Sequence, residues 1–341
     1  MKLFSSFSLA SDNCSAAHPK LIESIRIASE GYAPSYGQDK STSKATDRFK
    51  SIFGEETIVF YAFNGTGANI AALSAVAARS SAVICPSTAH INTHETGAPE
   101  KLLRLKLIGI PTREGKLAVS DVERLKDLQT NFHDASPDIV SISQTTEMGT
   151  LYKQDELRQL CSTAHENNML VHMDGARFAN AVAALNCNPK EISSDAGVDV
   201  LCFGGTKNGF VFGEAIVFFN PDLAERFDHL HKQHLQLASK NRFIAAQFDE
   251  ALKDGLWIEM AKTANETASY LEYHLNKIPE VKIVLPVESN QIFCRFPDSW
   301  INDIFNLTAC SPDAEGVIRF VTSFSTTMED IDALAEKLAK L

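Results

Sequence analysis

The sequence has no surplus of positive charge. It contains 32 lysine and arginine residues against 43 aspartate and glutamate residues, so its formal net charge is −11. Proteins that hold nucleic acid through its phosphates present a strongly basic face. The charge balance therefore argues against nucleic acid as a partner.

Long apolar runs are also missing. A membrane-spanning helix needs about 18 or more apolar residues in succession, and the alanine-rich stretch 70–78 is far shorter. Residues 1–4 begin like a signal peptide, but Ser5, Ser6 and Ser8 interrupt the apolar region. We therefore expect a cytoplasmic protein without a membrane anchor.

Cysteine occurs without the spacing of a disulfide framework or a zinc site. The seven cysteines are an odd number, and no two of them form a C-x-x-C motif. Most lie in apolar surroundings, which is typical of reduced thiols in the core of an intracellular protein. His229, His231 and His234 are close in sequence, but no acidic pattern accompanies them, so we expect no metal.

The distribution of apolar residues predicts an α/β architecture. A length of 341 residues is typical of about two domains. Short runs that are apolar on both faces alternate with helical patterns, which indicates a mostly parallel sheet between helix layers. These runs are 57–63, 82–85, 138–143, 169–173, 198–203 and 214–219.

The pattern changes after residue 221, where long helical stretches precede three strand-like segments and a final helix. This indicates a smaller α+β domain at the C-terminal end. We predict an N-terminal arm over 1–20, a large domain over 21–240 and a small domain over 241–341.

Three of the predicted strand ends carry chemically suggestive residues. Gly65 and Thr66 open a helix, Asp174 leaves a strand with Arg177 in the following turn, and Lys207 lies in a glycine-rich turn. Ligands bind beyond the carboxyl ends of the strands in such sheets. Taken singly, these features are ordinary turns, a helix cap and a surface lysine.

Together the three features match the needs of pyridoxal 5'-phosphate (PLP). This cofactor requires a lysine that bonds to its aldehyde, an acid at its pyridine nitrogen and a cradle for its phosphate. The helix that opens at Gly65 offers free N–H groups to an anion. We therefore predict a PLP site that uses Lys207 and Asp174.

The order of motifs resembles the fold type I PLP enzymes of the threonine aldolase and β-eliminating lyase family, and is similar to bacterial low-specificity L-threonine aldolases. The resemblance extends over nearly the whole chain. It rests on residues 11–13, 36–37, 64–66, 89–91, 174–177, 206–208 and 318–321. It implies a large domain with a mostly parallel sheet between helices, and a small C-terminal α+β domain.

The resemblance also implies a role for each site residue. Lys207 would bond to the cofactor, Asp174 would pair with the pyridine nitrogen and His90 would stack on the ring. The phosphate would be held by Gly65 and Thr66, and the substrate carboxylate by Ser11, Arg177 and Arg319. The family implies a homotetramer, a dimer of dimers with sites at subunit interfaces. Tyr36 and a basic residue near Lys240 or Arg242 would serve a neighbouring subunit's site.

The implied activity is cleavage of L-threonine, L-allo-threonine and related β-hydroxy-α-amino acids to glycine and an aldehyde. Other PLP reactions on the same fold remain open: cleavage of aryl serines, β-elimination and transamination. A PLP-binding protein without activity is a further alternative, although Lys207, Asp174, Arg177 and Arg319 are all present.

One motif departs from the family. Where better-known members carry an acid-Asn-Thr-His sequence, this chain has Gln144, Thr145, Thr146 and Glu147. The family histidine is therefore replaced, and Glu147 occupies its position without an assigned role. His90 and Glu95 are the predicted candidates for the general base, with an ordered water as an alternative.

Overall fold

The computed structural model of the protein describes residues 8–77 and 81–341. Residues 1–4, whose sequence begins like a signal peptide, lie outside these ranges. Within them, no helix combines the length and the apolar character that crossing a membrane requires.

A seven-stranded sheet forms the centre of the molecule. Its spatial order is β1-β7-β6-β5-β4-β2-β3. The four pairings that link β3, β2, β4, β5 and β6 are parallel, whereas β7 runs antiparallel to both β6 and β1. The strands are β1 (Ile58–Ala62), β2 (Ser81–Pro86), β3 (Lys106–Ile110), β4 (Ser136–Ser143), β5 (Leu170–Gly175), β6 (Val200–Gly204) and β7 (Glu214–Phe218).

Six of these strands agree with the sequence prediction, and β3 was missed. The central strands β6 and β7 are buried at every position, as their unbroken apolar runs predict. The strand β3 is a sheet edge with exposed residues, so its sequence lacks that signal.

Helices cover both faces of the sheet. They are α1 (Pro19–Ala28), α2 (Lys40–Phe53), α3 (Gly65–Val76), α4 (His90–Thr93), α5 (Ala98–Leu103), α6 (Val119–Leu125), α7 (Gln154–Glu166), α8 (Phe178–Leu185), α9 (Phe227–Gln233), α10 (Arg242–Lys253), α11 (Leu256–Leu275), α12 (Ile301–Thr308) and α13 (Met328–Leu338). The alanine-rich α3 packs on one face with Ile216 and Phe218. An aromatic core that includes Phe49 and Phe203 fills the other face.

The C-terminal part contains a second, antiparallel sheet of order β10-β9-β8. Its strands are β8 (Lys282–Ile283), β9 (Gln291–Arg295) and β10 (Ile318–Val321). These strands share a third core with Leu9 of the arm and with the second half of α11. The first half of α11 and the helix α10 pack in the aromatic core instead. The domain boundary predicted at residue 240 stays a prediction.

We expect Phe49→Ala to destabilise the protein. Phe49 is fully buried, and its ring lies 5.4 Å from the ring centres of both Phe203 and Phe248. Loss of such a ring costs about 3–5 kcal/mol of unfolding free energy through lost contacts and a cavity. Phe132→Ala is the control because Phe132 is 90% exposed. Thermal melting tests this, and equal melting temperatures for the two variants would contradict the assignment of Phe49 to the core.

Candidate active site

Side chains from four strand ends meet at one edge of the large sheet. His90 opens α4 after β2, Glu147 follows β4, Asp174 lies in β5 and Lys207 follows β6. The strands β2, β4, β5 and β6 are parallel neighbours, so these ends converge. They enclose a narrow cavity lined by Gly65, Asn69, His90, Ser143, Thr145, Glu147, Asp174, Ala176, Arg177 and Lys207.

A wider cavity of about 640 Å³ adjoins the narrow one and opens toward the small domain. The two share His90, Glu147, Arg177 and Lys207 as lining residues. The wider cavity adds Ser11, His94, Cys310 and Arg319, together with other residues of the small domain. The arm and both domains therefore contribute to one site.

Lys207 is held in the hairpin loop between β6 and β7. A Cβ on Gly204 would lie 2.3 Å from the Ala176 carbonyl oxygen, and one on Gly205 would lie 2.5 Å from the Gly213 carbonyl oxygen. Both positions therefore need glycine for this close packing. The Gly205 N–H donates to Glu214 Oε2 at 2.8 Å, which ties the loop to the start of β7.

The environment of Lys207 makes its amine more reactive. The positive charge of Arg177, followed by burial, lowers the pKa of Lys207, although Asp12, Asp174 and Glu214 act in the opposite direction. A lowered pKa increases the neutral fraction of the amine, which is the form that attacks a carbonyl.

Asp174 is a buried carboxylate beside Lys207. Its Oδ1 accepts the Ala176 N–H at 3.0 Å and its Oδ2 accepts from Asn69 Nδ2 at 2.9 Å. Burial raises the pKa of Asp174, but the Lys207 charge and these hydrogen bonds outweigh it, so the pKa lies below its ordinary value. The ionised carboxylate suits a protonated ring nitrogen.

Asn69 joins Asp174 to a second acid and to His90. The same Nδ2 donates to Glu95 Oε1 at 2.9 Å, and that oxygen lies 2.8 Å from His90 Nδ1. Hydrogen bonding to Glu95 raises the pKa of His90, and burial raises the pKa of Glu95. His90 and Glu95 are therefore arranged to share one proton.

His90, Glu95 and Asp174 also satisfy the geometric conditions for a metal cluster, because their ligand atoms lie within 4.8 Å of one another. The amide hydrogens of Asn69 point at both carboxylates, where a cation would need electron pairs instead. We therefore assign the group to a hydrogen-bonded network.

The guanidinium of Arg177 is fixed by a residue that the sequence analysis missed. Its Nε and Nη2 donate to the two carboxylate oxygens of Asp12 at 2.7 and 2.9 Å, and Asn290 Nδ2 donates to Asp12 Oδ2 at 3.1 Å. Both members of the ion pair are buried. The only sequence signal for this role is that Asp12 is adjacent to Ser11.

Arg319 and Ser11 complete the polar part of the wider cavity. No hydrogen-bond acceptor contacts the Arg319 guanidinium within residues 8–77 and 81–341. Ser11 Oγ accepts the Asn13 N–H at 3.1 Å and lies at the cavity wall. Two guanidinium groups and a hydroxyl therefore face one space, which suits a substrate carboxylate.

The start of α3 provides an anion site. Asn64 Oδ1 accepts the Gly67 N–H at 2.8 Å, whereas no acceptor in the described part of the chain bonds the N–H groups of Gly65 and Thr66. Free N–H groups at a helix start bind phosphate. Of the two residues, Gly65 lines the narrow cavity and Thr66 follows it on the helix.

The three residues that the family resemblance assigns to a neighbouring subunit's site lie outside both cavities. Tyr36 is 48% exposed, and its N–H donates to the Ser239 carbonyl oxygen at 3.0 Å beside Lys240. Arg242 lines a separate groove with α1 and α2. The structure therefore does not bring Tyr36, Lys240 or Arg242 to the site of their own chain.

The residues at the site fit PLP. A buried carboxylate, a lysine of lowered pKa and free helix N–H groups occur together, and the buried Asn69 Oδ1 and Glu147 Oε2 lack hydrogen-bond partners among the described residues. Lys207, Asp174, His90, Gly65 and Thr66 are the residues that would hold the cofactor.

The chain is similar to known proteins over most of its length. The model of the Beta-eliminating lyase family matches residues 8–298. The chain is 42% identical over 332 residues to the low specificity L-threonine aldolase of Pseudomonas aeruginosa, which covers 96% of each protein. The corresponding Escherichia coli protein is 22% identical over 96% of each.

Solved structures show the same fold. A threonine aldolase from Leishmania major superposes with a TM-score of 0.92 at 30% identity, over 98% of this chain and 99% of that one. A putative PLP-dependent beta-cystathionase from Corynebacterium diphtheriae gives a TM-score of 0.70 at 19% identity, over 100% of this chain and 92% of that one. The predicted fold class is thereby confirmed.

We expect Asp12→Asn to lower the melting temperature at neutral pH. It leaves the buried Arg177 charge without a carboxylate partner, which costs about 3–5 kcal/mol. Burial raises the pKa of Asp12, but Arg177 and Lys207 outweigh it and hold the pKa below its ordinary value. A pKa that is lower in the folded than in the unfolded state stabilises the protein at every pH above the unfolded-state pKa. The loss of melting temperature in Asp12→Asn should therefore be equal at about pH 5.5 and about pH 8.

The control for this measurement is Asp155→Asn, because Asp155 pairs with Arg158 on the exposed surface. We expect little change in its melting temperature. A deficit in Asp12→Asn that disappears at the lower pH would contradict an ionised Asp12.

Proposed function

The chain belongs to the beta-eliminating lyase family, and we propose that it cleaves L-threonine and L-allo-threonine, with related β-hydroxy-α-amino acids, to glycine and an aldehyde. The aldehyde from threonine is acetaldehyde. The observation that carries this proposal is the 42% identity to a low specificity L-threonine aldolase over 96% of the chain. The position of Lys207 and Asp174 at the strand ends supports it.

We propose PLP as the cofactor. Lys207 would bond to it, Asp174 would keep its ring nitrogen protonated, His90 would cover the ring, and the helix start at Gly65 and Thr66 would hold the phosphate. When bound, PLP withdraws electrons from the substrate's Cα, which allows the Cα–Cβ bond to break.

The arginines orient the substrate. Arg177, held by Asp12, and the unpartnered Arg319 would bind the α-carboxylate together with Ser11. Fixing the carboxylate determines which bond of Cα is presented for reaction, and such positioning contributes strongly to rate. Arg177 would also lie beside the cofactor, since it lines the narrow cavity with Lys207.

His90 and Glu95 provide a proton acceptor beside the cavity. Glu95 accepts from His90 Nδ1 in the neutral ring, which leaves Nε2 free to take a proton. We retain this pair as catalytic groups on the strength of the network that links it to Asp174.

A second candidate function is β-elimination, which would convert threonine to 2-oxobutyrate and ammonia. The description of the matching family favours it, since that family comprises beta-eliminating lyases. Both reactions use the same cofactor and the same lysine, so the products decide between them.

The test is to incubate PLP-supplemented protein with L-threonine and to measure acetaldehyde, glycine, 2-oxobutyrate and ammonia. We expect acetaldehyde and glycine in equal amounts. Lys207→Ala should lose this activity because the reactive amine is gone, whereas Lys101→Ala should keep it because Lys101 is exposed. Oxobutyrate with ammonia would assign elimination instead. Acetaldehyde release by Lys207→Ala would overturn the site assignment.

We propose that the protein assembles as a homotetramer, a dimer of dimers with sites at subunit interfaces. Four large apolar side chains are exposed in this part of the chain, and Phe63 among them lies just before the start of α3: Tyr36, Phe63, Val211 and Leu235. The backbone N–H of Phe63 donates to Gln236 Oε1, next to Leu235. Part of this face therefore borders the anion site at the start of α3. A second copy that covers this face would bring Tyr36 and the basic residues Lys240 and Arg242 toward a neighbouring site.

Mixing two inactive variants tests the shared site. If Tyr36 serves a neighbour, Tyr36→Ala and Lys207→Ala subunits should each cleave threonine poorly. A hybrid pair restores one of its two sites, so a randomly reassembled equimolar mixture should regain roughly a quarter of the wild-type activity. Light scattering would measure the assembly. Wild-type activity in Tyr36→Ala alone would contradict this role.

We propose that the protein works in the cytoplasm. All seven cysteines are free thiols in the structure, and five of them are buried. Such an arrangement supports a reducing compartment.

A further inference from the structure

Glu147 lies at the junction of the two cavities. It follows β4 and lines both the narrow cavity and the wider one. Its neighbours along these walls include His90, Arg177 and Lys207, so its carboxylate faces the place where the substrate and the cofactor would meet.

The two oxygens of Glu147 differ in their surroundings. Oε1 accepts from Ser143 Oγ at 2.7 Å and from the backbone N–H of His90 at 2.8 Å. Oε2 is buried and has no hydrogen-bond partner among the described residues. A buried carboxylate oxygen without a donor is costly, and a hydroxyl on a bound molecule would supply the missing donor.

The bonds to Oε1 fix the carboxylate in place. The helix α4 begins at His90, and its N-cap residue Ala89 supplies no side-chain acceptor. Glu147 Oε1 takes over that function. Because His90 is held by the same contact, Oε2 keeps a constant position relative to the ring that His90 would cover.

The imidazole of His90 is oriented by a separate network on its Nδ1 side. Its Nδ1 lies 2.8 Å from Glu95 Oε1, in a network that continues through Asn69 to Asp174. These contacts hold the imidazole toward the acid that would pair with the ring nitrogen. Glu147 has no competing donor at Oε2.

We propose that Glu147 is a catalytic residue that accepts the proton of the substrate's β-hydroxyl at Oε2. This inference rests on the proposed function. The hydroxyl O–H bond breaks and its proton moves to Oε2, while the oxygen forms the aldehyde C=O bond. The Cα–Cβ bond breaks, its electron pair goes to Cα, and a proton added at Cα completes glycine.

The charges around Glu147 are compatible with this role. Burial, and then the Asp174 charge, raise the pKa of Glu147, while Ser143 and the His90 N–H lower it. Lys207, Arg177 and His90 line the narrow cavity with Glu147, and Arg319 lines the wider one. Cys85 and Tyr152 stay neutral because burial raises their pKa values. A base with a raised pKa takes up a proton more readily near neutral pH.

Glu147→Gln separates proton transfer from structural support. Its amide oxygen can still accept from Ser143 and from the His90 N–H, but the amide nitrogen that replaces Oε2 cannot take a proton. The matched control is Glu123→Gln on the exposed surface of α6.

Three readouts are compared in the PLP-loaded wild-type and variant proteins. The first is threonine cleavage, and the second is exchange of a glycine α-hydrogen with deuterated water, which involves no hydroxyl. The third is PLP affinity, measured by absorption during titration of the cofactor-free protein. We expect Glu147→Gln to lose about 100-fold in kcat/KM for cleavage, with exchange and PLP affinity within about threefold of the wild type.

The outcomes are distinct. Absence of acetaldehyde from wild-type protein would refute the proposed function itself. Cleavage by Glu147→Gln at wild-type rates would overturn the proposal and leave the proton to His90 or water. An equal loss of cleavage and exchange, or a loss of PLP affinity, would limit Glu147 to holding α4 and would also overturn it.

The pH profile gives an independent readout. Ser143→Ala removes a bond that lowers the pKa of Glu147, so the acid limb of kcat/KM should move to higher pH. His90 should not cause such a shift, because the Ser143 hydroxyl bonds to Glu147 and not to the imidazole. If the acid limb of Ser143→Ala stays at the wild-type pH, the limb reports a group other than Glu147, which would overturn the proposal.

Discussion

The site depends on the balance of charge around the amine of Lys207. Arg177 lowers the pKa of this amine, and Asp12, Asp174 and Glu214 act against it. Each of these groups is fixed by a hydrogen bond of its own, so the balance is built into the fold. Glu214 shows the same coupling, because burial raises its pKa to about 7 while it accepts the Gly205 N–H of the lysine's loop. The reactive group and its support therefore form one unit.

The sheet topology creates this arrangement. Parallel neighbours end at one edge, so Asp174 at the end of β5 and Lys207 after β6 become adjacent although they are far apart in sequence. The reversal at β7 adds a hairpin, and pairing of Gly204 with Glu214 closes it. Because the loop is short and packed against Ala176, it allows the lysine little freedom. The precision of the site follows from the packing of backbone on backbone.

The sequence was sufficient to predict the buried strands and the residues at their ends, because apolar runs and glycine-rich turns are local signals. It was insufficient for the residues that act through distant partners. Asp12 holds Arg177 from 165 positions away. Asn69 on α3 bridges Glu95 and Asp174, which no local motif connects. The exposed edge strand β3 was missed for a related reason, since its stability comes from pairing with β2 and not from its own composition.

Compared with the histidine that the family resemblance implies at this position, Glu147 changes the charge of the site as well as its shape. A carboxylate adds a negative charge beside Asp174, and the interaction between the two raises the pKa of Glu147. Lys207, Arg177 and Arg319 supply positive charge in the same space, so a second acid can be accommodated there. The Ser143 hydroxyl and the His90 N–H hold one oxygen and leave the other without a donor. An acid fixed in this way, with a raised pKa, is suited to accept a proton at its free oxygen.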